Sequence, residues 1–113
     1  MQLQFVGCGD ALGSGGRFNT CFHVTGDHVN FLIDCGASSL PALKRLGIAH
    51  EAVDLVLITH FHGDHFGGLP FLLLDAQFTR RSRPLVIAAR LTTGIWVLIS
   101  TSFAFRMAGV RPN

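Results

Sequence analysis

The stretch Asp54-Leu55-Val56-Leu57-Ile58-Thr59-His60-Phe61-His62-Gly63-Asp64-His65-Phe66-Gly67-Gly68 decides how this chain is read. Its first half, Asp54–Thr59, is a continuous aliphatic run, the pattern of a strand buried on both faces. Its second half places three imidazoles and one carboxylate within six residues. Neutral imidazole nitrogens and a carboxylate together suit Zn²⁺, Mn²⁺ or Fe²⁺. The glycines at 63, 67 and 68 let the backbone turn tightly enough to bring such donors to one point. His60 and His62, two residues apart on an extended turn, converge on one ion, while Asp64 and His65 face a neighbouring position. The bland alternative is a histidine-rich surface loop. Six histidines scattered over 113 residues would seldom fall three within six beside an aspartate, so the alternative is the weaker one.

Working outward, Gln2–Val6 alternates polar and apolar residues and predicts a strand. Gly7 to Arg17 carries five glycines in eleven residues and reads as loop. Asn19–Thr25 and Val29–Asp34, joined by Gly26-Asp27-His28, predict a β-hairpin. Ser38 or Ser39 caps a helix over 39–46, whose Leu40, Leu43 and Leu46 recur in steps of three, and Gly47 ends it. His60–Phe66 is expected to be loop. Leu69 to Thr79, with Pro70 in the first turn, is the next helix. Pro84–Ala89 is another buried strand, and Ile95–Ile99 is a candidate for one more. Strands followed by alternating helices and strands predict a mixed α/β (α+β) domain, an open sheet partly covered by helices.

The chain is 113 residues long, 49% hydrophobic and 14% charged, with a formal charge of +2. That length allows one domain, burying roughly two-thirds of the surface an unfolded chain exposes. The composition excludes intrinsic disorder, and so small a net charge does not by itself argue for a nucleic-acid partner. Cys8, Cys21 and Cys35 form no C-x-x-C pair and are odd in number, which points to reduced, buried thiols and a cytoplasmic protein. The N-terminus lacks the basic stretch and apolar core of a signal peptide. Gly7-x-Gly9 precedes a second strand rather than a helix, so it is no dinucleotide fingerprint. His23 and His28 read as structural or solvated residues. The ten phenylalanines, without a single tyrosine, read as apolar core. All seven acidic residues, all six histidines and all three cysteines precede residue 76, whereas 76–113 holds six arginines and no acid. Arg80, Arg81 and Arg83 at the end of the second helix suit its negative pole, with a phosphate backbone as the other candidate partner.

His-x-His-x-Asp-His after an aliphatic strand ending in Thr resembles the signature of the metallo-β-lactamase superfamily. The N-terminal strand, the Gly-rich turn and Phe31-Leu32-Ile33-Asp34-Cys35-Gly36 before the first helix match as well. Gly7-Cys8-Gly9-Asp10, Thr20-Cys21 and Leu69-Pro70 look most like its ribonuclease Z and phosphodiesterase branch. The likeness covers residues 1 to about 89. It implies part of an αββα sandwich, one mixed sheet with helices on one side, in a metal-dependent hydrolase of phosphodiester or ester bonds. By position it assigns His60 and His62 to a first metal and Asp64 and His65 to a second, with two Zn²⁺ expected and Mn²⁺ or Fe²⁺ as alternatives. It makes Asp64 an aid to proton transfer as well, and Asp34 a carboxylate behind the ligands that orients them. The substrate would be a small-molecule or nucleic-acid phosphodiester.

The same family site also uses a third histidine, a bridging aspartate and a last histidine from later in the fold. Nothing after Asp75 in this chain is able to coordinate. The chain thus resembles the N-terminal half of the fold, and is expected to be weakly active or inactive. The alternative is a non-catalytic metal-binding fragment, or a subunit whose partner supplies the missing ligands. Residues 90–113 depart from the family pattern, and a truncated or frame-shifted reading of a longer gene accounts for them. The uncharged run Leu91–Phe105 is shorter than the ~20 residues a membrane span needs, so no membrane partner is expected. A half-sandwich leaves one sheet face uncovered, which predicts poor solubility or a homo-oligomer formed through that face.

Overall fold

Six strands and three helices make up the regular structure among the described residues. The computed structural model describes residues 1–92 and 95–101. In chain order these are β1 (Gln2–Gly7), β2 (Cys21–Thr25), β3 (Asn30–Ile33), α1 (Ser39–Arg45), β4 (Leu55–Ile58), α2 (Gly63–Phe66), α3 (Leu69–Phe78), β5 (Leu85–Thr92) and β6 (Ile95–Thr101). The strands form one mixed sheet in sequence order. β1-β2 and β2-β3 pair antiparallel, β3-β4 and β4-β5 pair parallel, and β6 returns antiparallel on β5. Parallel neighbours need crossovers, and α1 and α3 lie in the two crossovers that supply them. The expected hairpin, both helices and the strand after residue 95 are present. The rest of the predicted divergent tail, residues 102–113, lies outside the described residues.

Period-two alternation decides which side of the sheet is covered. Leu32, Val56, Ile58, Leu85 and Ile87 point to one face and pack with Ala42 and Leu43 of α1 and Leu72 of α3. Leu32, Val56 and Leu85 are fully buried, and each such side chain stabilises the fold by about 1.5–3 kcal/mol. The opposite face carries Leu3, Phe5, Phe22, Phe31, Ile33, Leu55 and Leu57 by the same register. There Phe5 meets Phe22 edge-on at 5.2 Å, yet Phe5 stays 64% and Leu3 56% exposed. β4 was expected to be buried on both faces. Leu55 and Leu57 are only half-buried, because all three helices lie on one side.

Several local expectations are corrected. Neither Ser38 nor Ser39 caps α1: no side-chain cap bond forms. Instead Ser38 Oγ accepts from the Asn19 N–H (2.7 Å) and Ser39 Oγ from the Gly36 N–H (2.9 Å), tying the helix start to neighbouring loops. The helix does end as predicted, with Gly47 left-handed at φ 71° and the Ile48 N–H bonded back to the Leu43 carbonyl. Phe71 and Phe78 of α3 and Phe61 before α2 are exposed, so the phenylalanines are not all core. Cys8 is exposed, while Cys21 and Cys35 are buried as expected.

Arg81 and Arg83 do not serve the pole of α3. Arg81 is 3% exposed, and its guanidinium donates to the carbonyls of His50, Val53 (2.8 Å), Pro84 (3.0 Å) and Arg83 (2.9 Å). Arg83 reaches the Asp54 carboxylate and the Glu51 carbonyl. The two arginines latch the chain that enters β4 to the chain that enters β5.

Candidate metal centre

The predicted donors sit where β4 ends. After Ile58 the chain passes through Thr59, His60 and His62 and winds one helical turn, α2, where loop was expected. The N–H groups of His65 (2.9 Å) and Phe66 (3.2 Å) close it on the His62 carbonyl. Phe61 and Phe66 brace it from outside, ring centroids 5.6 Å apart. Backbone bonds then fasten the turn to the segment after β3: the Cys35 N–H donates to the His65 carbonyl (2.7 Å) and the Gly68 N–H to the Cys35 carbonyl (3.0 Å). Gly36 and Gly68 make this approach possible. A Cβ on Gly36 would overlap the Asp64 carbonyl, and one on Gly68 the Gly36 carbonyl.

Asp34 sits beneath this turn, 3% exposed, with a left-handed backbone (φ 63°) that is uncommon for a residue with a side chain. Its Oδ1 accepts the Thr59 N–H at 2.8 Å. Its Oδ2 accepts the Thr59 hydroxyl at 2.7 Å and contacts His65 Nδ1 at 2.7 Å. A carboxylate only accepts, so Nδ1 of His65 carries a proton. The Thr59 hydroxyl spends its single proton on Asp34 and accepts from His60 Nδ1 at 3.0 Å. His60 is thereby held with a proton on its Nδ1. One buried carboxylate sets two imidazoles. Thr59 is the member of this network that sequence reasoning passed over; a hydroxyl at the strand terminus next to His60 was its only signal.

The structure brings the four predicted ligands together. The His60 ring lies 3.9 Å from that of His65 and 4.7 Å, edge-on, from that of His62 (centroid distances). Asp64 Oδ2 is 3.1 Å from His65 Nε2. His60 and His62 are exposed; Asp64 and His65 are half-buried. The rings pack on one another instead of opening around a common point. Among the described residues no group of three or more His, Cys, Asp or Glu side chains is spaced to hold a metal ion. The donor chemistry nonetheless fits one. His65 Nε2 and the Asp64 carboxylate, 3.1 Å apart, are held together by a proton or by a cation between them.

The other candidates take no part. His23 is buried, with Nε2 2.9 Å from the Ala52 carbonyl. His28 is exposed at the hairpin turn. Burial pushes the thiols of Cys21 and Cys35 up to about 12, so neither is a ready nucleophile.

Residues 1–102 match the family Anti-Pycsar protein Apyc1. The chain belongs to that family. It is 39% identical over 97 residues to the Apyc1 of Saccharibacillus brassicae, covering 85% of this chain and 40% of that protein. It is 42% identical over 71 residues to the ribonuclease Z of Agathobacter rectalis, covering 63% of this chain and 23% of that one. The structure superposes on the metallo-beta-lactamase fold protein YhfI of Bacillus subtilis with a TM-score of 0.68 at 21% identity, over 78% of this chain and 37% of YhfI. The metallo-β-lactamase fold read from the sequence is therefore present, in a mixed sheet with its helices on one side. The chain spans less than half the length of these proteins. No described helix is long and apolar enough to cross a membrane.

Proposed function

We propose that this chain contributes the first ligands of a metal-dependent hydrolase acting on phosphodiester bonds. The observation that carries this reading is the Asp34 network, which holds Nδ1 of His65 directly and Nδ1 of His60 through Thr59, with His65 Nε2 beside Asp64, at the carboxyl end of a parallel strand. Ligands of open α/β sheets gather at that end. A relative is by name a ribonuclease, an enzyme class that cleaves phosphodiesters. His60, His62, Asp64 and His65 would hold Zn²⁺ or a similar cation, which when bound lowers the pKa of water and stabilises developing negative charge. Asp34 and Thr59 keep two imidazoles in the binding tautomer. Asp64, half-buried, would also take a proton during turnover.

Titration calorimetry with ZnCl₂ tests the ligand set. Saturable binding is expected, weakened at least tenfold in each of His60→Ala, His62→Ala and His65→Ala. Absence of saturable binding, or equal binding by the variants, would refute it. Hydrolysis of bis(p-nitrophenyl) phosphate with Zn²⁺ or Mn²⁺ tests the chemistry. A second reading, a non-catalytic fragment or subunit that binds metal weakly, is favoured by the lack of any coordinating residue after Asp75. One weakly held ion without turnover would decide for it; two tightly held ions with turnover lost in His62→Ala would decide for the enzyme.

A further inference from the structure

The side of the sheet away from the helices carries two unbroken apolar rows across β1–β5. Phe5, Phe22, Ile33, Leu57 and Ala88 stand opposite one another strand by strand. Leu3, Val24, Phe31, Leu55 and Val86 form the row beside them. No charged residue falls in either row, and none of the ten belongs to the core beneath the helices. Phe5 and Leu3, on β1, are the most exposed of them, whereas the smaller Ala88 and Val86 lie four strands away on β5. Strands spaced ~4.8 Å apart make this patch about 24 Å wide, and contiguous apolar surface of that kind marks a contact face. Within these 113 residues only twelve follow Thr101, enough for about two strands of ordinary length where five need covering.

We propose that the patch is a homodimer interface, on which a second copy of this chain lays its own open face, sheet against sheet. A copy brings the same twist, packs about 10 Å away with its strands within about 30°, and, with no charge in either row, meets no like-charge repulsion. The two-fold axis runs along the strands. It sets β3 over β3 and β1 over β5 of the other copy, so Phe5 and Leu3 meet the small Ala88 and Val86. An axis across the strands would instead drive the bulky β1 residues of both copies against each other. The contact removes on the order of 1,000 Å² from water, the lower end for a specific interface, which predicts dissociation in the micromolar range. The same axis leaves both histidine turns at one rim of the packed sheets, and the dimer does not depend on what they bind.

Sedimentation equilibrium of the metal-free chain should show a reversible monomer–dimer equilibrium. Phe5→Lys, at a position already 64% exposed, should keep the circular dichroism spectrum and weaken the dimer at least about tenfold. Leu74→Lys, equally accessible to solvent but on α3, should leave the equilibrium unchanged. Phe5→Ala should weaken the dimer, and combining it with Ala88→Phe, which exchanges the large and the small side chain, should restore it. A chain that stays monomeric at about 200 μM, association that grows past the dimer, or a dimer indifferent to Phe5→Lys or as sensitive to Leu74→Lys would each overturn the proposal. Failure of the exchange to restore association would overturn the axis along the strands.

Discussion

The two ends of β4 solve the same problem with opposite charges. Where the strand begins, a buried cation, Arg81, spreads its donors over four carbonyl oxygens. Where it ends, a buried anion, Asp34, gathers donors from Thr59 and His65. At the arginine end these four hydrogen bonds run to backbone carbonyls, and they are fastenings. At the aspartate end the bonds engage the Nδ1 atoms of two histidines, one of them through Thr59, and leave Nε2 of His65 beside Asp64. The first arrangement closes the sheet; the second holds polar groups in readiness. A buried charge marks function here only when its partners retain unused valence.

The sharpest way to break this contrast is Arg81→Ala. Several buried carbonyls would lose their donor at once, each worth about 1–3 kcal/mol, so a loss of about 4 kcal/mol or more is expected in denaturant unfolding. A loss below about 1 kcal/mol would mean that the latch is ornamental. Asp34→Ala should cost less stability, about 2 kcal/mol, but lower Zn²⁺ affinity by about 10–100-fold. Equal metal binding before and after would remove the distinction between the two ends. The smallest effect is expected at Asp54. The Asn30 N–H and then Arg83 hold its carboxyl below the ordinary value. Because the folded chain favours the ionised form, that contribution is present above about pH 4 and fades as pH falls through the folded-state value. Asp54→Asn should therefore destabilise by about 0.5–1 kcal/mol at pH 7, with the difference from the unmodified chain vanishing under acid. A pH-independent difference would assign the effect to lost geometry instead.

Much of this was legible beforehand because the signals were local. The alternation in β1, the turn at 26–28, Gly47 at the end of α1 and the clustered histidines are each decided within a few residues of chain. What escaped depends on partners far away in sequence. Arg81 meets His50 and Val53 from about thirty residues off, and Ser38 meets Asn19 across the sheet's edge, so nearby propensity pointed instead to a helix pole and a cap. The Thr59 hydroxyl was visible, but its link to Asp34 appears only once β3 and β4 lie in register. The single turn of α2 is too short to leave a periodic trace. The exposure of Phe5 and Leu3 follows from which face the helices cover, which a strand's own alternation does not specify.

Gly36 and Gly68 press two stretches of main chain together with no side chain between them. The spacing of the histidine turn from Asp34 is thus fixed by peptide planes and is insensitive to rotamer choice or to the volume of nearby hydrophobic residues. Drift in the helices or on the open sheet face leaves that spacing alone, whereas one added methyl group at the crossing would pry the donors from their support.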